Sequence, residues 1–165
     1  MTQASMRRIF VIAVVMAALG GRGYAQAKLT CAVVPKTLDA MKDCYRPLLV
    51  FSANGDDARL KRQVSLLDGA ADDMMDRFVL FAPIVPDGHN VSTPSDSPYT
   101  ILSGDQMKDV RAKFHISTAE FVVLLLDEDG SVMLRSRMPV EADRLNALID
   151  KTPRRQAEAH RPHAN

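Results

Sequence analysis

Apolar positions along the chain fall into short continuous runs separated by stretches with helical spacing. Arg46-Pro47-Leu48-Leu49-Val50-Phe51-Ser52 is one such run, and its length and branched or aromatic content predict a strand buried on both faces. Phe78 to Val85 predicts a second strand, with Pro83 marking it as an edge or an exit. Phe121 to Leu126 predicts a central strand, and the more polar Val132 to Arg137 its hairpin partner across Asp127-Glu128-Asp129-Gly130. Between these runs the period changes. Leu60, Val64 and Leu67 recur at i, i+4, i+7 and predict a helix over 57–67, with Asn54-Gly55-Asp56 breaking the strand and offering an N-cap, and Asp56 and Asp57 favourable at the helix start. Gly69 ends or bends it before 70–75. Ser103-x-x-Gln106 is a capping box that opens a helix over 103–114 carried by Met107, Val110 and Phe114, with His115 at its C-terminal end. Pro139 can open a last helix, with Ala142, Leu145, Leu148 and Ile149 on one face. The order β-α-β-α-β-β-α predicts an α/β fold: a thioredoxin-like sandwich with a central mixed sheet flanked by helices.

Residues 1–27 have a different pattern. Arg7 and Arg8 precede the eleven-residue apolar run Ile9–Leu19, Gly20 to Gly23 break it, and Ala25-Gln26-Ala27 supplies small residues for cleavage after Ala27. This is the layout of a secretory signal peptide. Eleven helical residues span roughly 16 Å against a hydrocarbon core of about 30 Å, too short for a membrane anchor. Removing Arg7, Arg8 and Arg22 with no acid turns the formal charge from +1 to −2. No other stretch approaches the 18 apolar residues of a span. The expected product is periplasmic or secreted, without an integral span after cleavage. Its weak charge offers no footprint for nucleic acid.

Cys31 and Cys44, thirteen positions apart, are the chain's two cysteines. In an oxidising compartment a disulfide is the expected state, pinning 28–45 and its short helix (Leu38, Met41) to the domain. A redox-active pair and free thiols are the alternatives. Neither cysteine has the Cys-x-x-Cys setting at a helix N-terminus that lowers a thiol pKa.

Three stretches carry a resemblance: Arg46–Ser52 with Asp57 and Gln63 following, Phe121–Gly130, and Ile149-Asp-Lys-Thr-Pro-Arg-Arg-Gln-Ala-Glu158. Together they resemble an uncharacterised family of bacterial exported domains with a thioredoxin/peroxiredoxin-like fold. The same domain type occurs in animal sushi-repeat-containing extracellular-matrix proteins. The resemblance covers about 45–158 and implies fold and export, with no established activity. The expected layout is a signal peptide over 1–27, an N-terminal segment over 28–45, the domain over 46–151, and a disordered tail over 152–165, where apolar periodicity is lost.

In the thioredoxin fold the reactive Cys-x-x-Cys follows the first strand. Here that place reads Ser52-Ala53-Asn54-Gly55-Asp56-Asp57, without a cysteine and with carboxylates that would repel a thiolate. Ile116–Glu120, where a cis-proline would precede the central strand, holds no proline. Thiol chemistry at that place is therefore not expected, and fold alone does not carry function. No Gly-x-Ser-x-Gly, His-Glu-x-x-His, Walker or dinucleotide motif occurs in the mature part. Asp127–Gly130 reads as a hairpin turn and not as a calcium loop, and His160-x-x-His163 lies in the predicted tail. No catalytic residue, metal site or cofactor is expected. The candidate contact surface is the edge of the lost site: Asn54, Asp56, Asp57, Thr118 and Glu120, with His89 in the long loop 86–98. The partner expected there is a protein or an envelope component. A thiol-dependent or other enzyme using Cys31 and Cys44, and a structural envelope or matrix component, are the rival readings.

Overall fold

The computed structural model describes residues 31–86 and 91–159. The leader and the cleavage after Ala27 expected from the sequence, His89, and the His160 and His163 pair lie outside the described residues. Ten elements follow in chain order: α1 (Leu38–Met41), β1 (Arg46–Phe51), α2 (Ala58–Leu67), α3 (Ala71–Asp76), β2 (Val79–Ile84), α4 (Gly104–Phe114), β3 (Val122–Leu126), β4 (Val132–Ser136), α5 (Ala142–Ile149) and α6 (Pro153–Ala159). The four strands form one mixed sheet in the order β2-β1-β3-β4. β1 and β2 are parallel, with Leu48 opposite Phe81. β1 and β3 are antiparallel, with Leu48 opposite Leu125, and β3 pairs antiparallel with β4.

The continuous apolar runs follow from this arrangement. Every residue of β1, β2 and β3 is buried. Because side chains alternate across a strand, each run supplies two cores. Leu48, Val50, Phe81, Val123 and Leu125 pack with Leu60, Val64 and Leu67 of α2 and with Leu145 and Ile149 of α5. Leu49, Phe51, Leu80, Ile84, Leu124 and Leu126 face the other way and pack with Met41 of α1 and with Met107 and Val110 of α4. β4 is only half covered, which explains its more polar sequence. This is the α/β sandwich that the periodicity predicts.

Pro83 sits in an edge strand, as expected. The outer side of β2 is partly covered: Phe81 N–H donates to Pro98 O (3.0 Å), and Thr100 N–H donates to Phe81 O (2.9 Å). Position 83, two residues on, aims the same way, so a missing N–H there costs no ladder bond.

The structure moves two boundaries. The last core helix begins at Ala142, after Glu141, and not at Pro139. Val140 instead lies outside any helix or strand, and its N–H and C=O are both taken by the buried Gln63 amide (2.7 and 2.9 Å). The second correction is larger: residues 153–159, expected to be disordered, form α6. Its anchors are charged side chains, which leave no apolar period to read.

Candidate functional site

β1 delivers Ser52 to the end of the sheet, where the chain turns into α2. Ser52 Oγ–H donates to Asn54 O (2.9 Å), and Asn54 Oδ1 accepts from Asp56 N–H (3.0 Å). Asp57, not Asn54 or Asp56, is the N-cap, its carboxylate accepting from Arg59 N–H at 2.8 Å. The Arg59 guanidinium returns to the same carboxylate (3.1 and 2.7 Å) and lies over the Phe121 ring, 4.9 Å from its centre. That stacking ties the start of α2 to the segment before β3. There Glu120 Oε2 accepts from Ser117 N–H (2.8 Å), while Thr118 is exposed. The structure thus brings Asp57 and Glu120 to one edge, with Asn54, Asp56 and Thr118 around them.

The carboxylates of this edge are locally satisfied. The Arg59 hydrogen bond holds Asp57 below the ordinary carboxylate range against the opposing effect of burial. Lys61, 2.8 Å away, lowers Asp56, and the Ser117 backbone lowers Glu120. Each stays ionised at neutral pH, so the edge offers fixed charges and hydrogen-bond acceptors. The helix start where a reactive thiol would gain from the macrodipole is occupied by the Asp57 cap.

Beneath the edge lies a residue that periodicity alone does not single out. Arg111 of α4 is only 6% exposed. Its Nη2 donates to Ser52 O (2.7 Å) and Ile84 O (2.8 Å), and its Nη1 donates to Ser117 O (2.5 Å). The guanidinium packs on Phe51, 5.4 Å from the ring centre, and Nε has no hydrogen-bond partner among the described residues. Burial depresses its pKa, which the charge of Glu120 partly opposes. One cation therefore joins the ends of β1 and β2 to the loop before β3. The available signal is positional: Arg111 stands at i+4 from Met107, on the face that α4 buries.

Cys31 and Cys44 form a disulfide (S–S 2.05 Å, Cα–Cα 5.6 Å). It lies at the opposite end of β1, whose six residues span roughly 20 Å. Two further contacts tie the N-terminal segment down: Tyr45 O–H donates to Ala32 O (2.7 Å), and Thr100 Oγ1–H donates to Pro35 O (2.6 Å). Cys31, Cys44, Asp43, Phe78, Glu128, Arg154 and Glu158 line a cavity of about 350 Å³.

Arg46, fully buried at the start of β1, lies beside this cavity. It contacts Asp127 (Nε, 3.3 Å), Glu128 (Nη1, 3.1 Å) and Glu158 (Nη2, 2.9 Å), and donates to Arg77 O (2.9 Å). Burial raises the Glu128 carboxyl above its ordinary value, and the neighbouring Glu158 adds to this against Arg46 and Arg154. Glu158 is also desolvated, but its hydrogen bond and charge contact with Arg46 win and lower it. Asp127–Gly130 is a hairpin turn: Gly130, at φ +86°, donates to Asp127 O (2.9 Å), and Asp129 accepts from Ser131 N–H (2.8 Å). Among the described residues, no group of three or more His, Cys, Asp or Glu is placed to hold a metal.

Comparison with known proteins agrees with this geometry. No functionally curated protein matches the chain. Among solved structures, it is similar to the thioredoxin peroxidase I of Plasmodium yoelii, at 17% identity and a TM-score of 0.53, over 78% of this chain and 84% of that one. It is also similar to a thiol:disulfide interchange protein from Bacteroides sp., at 16% identity and a TM-score of 0.52, over 78% and 85%. At these identities the likeness establishes a thioredoxin-like fold and nothing about chemistry. Residues 37–158, from the Thr37 cap of α1 to Glu158 on Arg46, match one family throughout, and the chain belongs to the family described as domain of unknown function DUF4174.

Proposed function

We propose that this chain is an exported, redox-inactive thioredoxin-like domain that works by binding a protein or envelope component. The contact surface in this reading is the edge of Asn54, Asp56, Asp57, Thr118 and Glu120. The observation that carries it is the α2 start, where an ion-paired Asp57 cap stands in the thiol position of the fold. Loops held by a rigid scaffold commonly carry binding, and Arg111 fixes three of the strand and loop ends here. The disulfide supports an oxidising compartment for the mature chain. No helix among the described residues is long and apolar enough to cross a membrane.

The test is photo-crosslinking in intact cells, with the reactive side chain placed at Thr118 and, as a control, at Lys151. Adducts from position 118 that disappear in an Asp56→Ala, Asp57→Ala double variant are expected. Equal adducts from both positions, or adducts indifferent to the double variant, would overturn the surface.

A second reading, thiol-dependent oxidoreductase activity through Cys31 and Cys44, is favoured by one observation. Cys31 is exposed, and the disulfide shares its cavity with Glu128, whose carboxyl burial raises above its ordinary value. Insulin reduction that is lost in Cys44→Ser would support it; no turnover above the variant's would reject it.

A further inference from the structure

The C-terminal helix is bound unlike any other part of the fold. None of the residues of α6 is buried, so it adds nothing to either core. Three charged side chains anchor it. Glu158 reaches Arg46 in a two-pronged contact, Oε1 on Nη2 at 2.9 Å and Oε2 on Nη1 at 3.3 Å. Arg154 reaches Glu128 (3.0 Å) and Asp43 (3.4 Å). Arg155 donates to Asp76 O (2.9 Å), pairs with the Asp76 carboxylate, and lies 3.6 Å from Asp150. The facing charges are therefore Asp43 after α1, Arg46 of β1, Asp76 of α3, Asp127 and Glu128 of the turn after β3, and Asp150 after α5. Arg77, beside Asp76, pairs with Asp150 (2.9 Å) and Asp73 (3.0 Å).

Two physical points follow. A seven-residue helix is unstable by itself in water, so α6 exists because it is docked. Its anchors are ionic and partly open to water: Arg154 and Asp43 are 44% and 40% exposed, and the Asp76 partner of Arg155 is 59% exposed. Contacts exposed in this way are the kind that salt weakens: the Debye length falls from about 10 Å at 0.1 M to about 3 Å at 1 M. The body does not need α6 to stay whole. Ile149, the last core residue before it, is fully buried, and Arg46 keeps Asp127 and Glu128 when Glu158 leaves.

We infer that α6 is a charge-latched flap over the Arg46 end, docked at low ionic strength and released by screening while the sheet and both cores remain folded. The hinge is 150–152, between the end of α5 and the start of α6. Release withdraws Arg154 and Glu158 from the wall of the cavity and opens it from that side onto Cys44, Glu128 and Phe78, a residue already 48% exposed. The flap would thus set how far a partner or reagent reaches the disulfide end, independently of what happens at the Asp57 edge.

Limited trypsinolysis of the intact mature chain tests this, because Lys151, Arg154 and Arg155 lie in the hinge and the flap. Rates are referred to an unstructured peptide of residues 149–160 under the same conditions, which removes the effect of salt on the protease. Raising NaCl from 50 mM to 1 M should speed cutting at these sites at least fivefold, with cutting after Arg62 in α2 unchanged. Glu158→Gln should bring most of that increase at low salt, as should Arg154→Gln read at the remaining sites after Lys151 and Arg155, whereas Ala157→Gln should not. Flap cutting indifferent to both salt and Glu158→Gln would overturn the latch. So would a parallel rise after Arg62, since the whole domain would then be opening.

Discussion

Two buried arginines sit at opposite ends of the sheet and are held by opposite means. Arg46 has three carboxylates around its guanidinium, Asp127, Glu128 and Glu158, beside a single backbone carbonyl, that of Arg77. Arg111 has backbone carbonyls from Ser52, Ile84 and Ser117 and, among the described residues, no ion pair. The first is a node of a charge network and depends on residues distant in sequence. The second is a clasp that gathers chain ends and would work without any acid nearby. Removing a cation from each should therefore cost differently. Arg46→Met keeps the volume but leaves three partly buried carboxylates facing one another, so a loss of about 3–5 kcal/mol is expected in urea unfolding. An effect below about 1 kcal/mol would mean that water and Arg154 already neutralise those acids.

The disulfide belongs to the Arg46 end and closes a loop of the size for which chain-entropy arguments give about 3 kcal/mol. A Cys31→Ser, Cys44→Ser double variant should fall by about that much with its m-value nearly unchanged. If the N-terminal segment is held equally well by Thr100 on Pro35 and by Tyr45 on Ala32, the loss will be much smaller.

Arg111→Met is the counter-test. It strips donors from three carbonyls but also removes a desolvated charge, and these effects oppose each other. A loss of about 1–3 kcal/mol is expected, clearly below that of Arg46→Met. The reverse ranking would break the contrast between network and clasp.

The two ends also differ in how far the sequence discloses them. The strands were legible because each is an unbroken apolar run, and a strand buried on both faces leaves that trace. The Asp57 edge was legible because it lies within a few residues of β1, and the absence of a cysteine there can be read directly. The cysteine pair was legible from compartment and count. The Arg46 network was not. Arg46 looks like the polar flank of a strand until Asp127 and Glu158, 81 and 112 positions away, are brought to it. The same pairing explains why 153–159 read as a tail. A helix anchored by Arg154, Arg155 and Glu158 carries no apolar stripe, and periodicity is blind to it. Arg111 was only half hidden: its place at i+4 from Met107 puts it on the face α4 buries, but what a charge does there shows only once its carbonyl partners are in place.

Asp57→Ala removes the cap of α2 and the partner of Arg59. Loss of an Asp cap typically costs about 1 kcal/mol, and that is the expected fall in stability. The readout that bears on the comparison is hydrogen exchange in the first turn of α2. It should quicken there and remain unchanged around Arg46, if the ends are energetically independent.

The smallest effects are the most discriminating, because acid should act on the two ends with opposite sign. Asp57 has its folded-state pKa lowered, chiefly by Arg59, so its contribution is present above the unfolded value of about 3.9 and disappears as pH falls through the folded one. Glu128 has its folded-state pKa raised by burial and by Glu158. Its contribution is complete below the unfolded value of about 4.3 and is lost as pH rises through the folded one. Asp57→Asn, which keeps a capping oxygen, should therefore be less stable than the parent at neutral pH and approach it in acid. Glu128→Gln should gain on the parent as pH rises from about 4 toward 7. Unfolding curves of the parent and both variants across that range measure the two slopes. If Glu128→Gln instead loses ground as pH rises, its carboxylate is held by Arg46 and Arg154 more strongly than burial and Glu158 oppose it. The Arg46 end would then be an ordinary set of ion pairs and not a site with one acid too many for its buried cation.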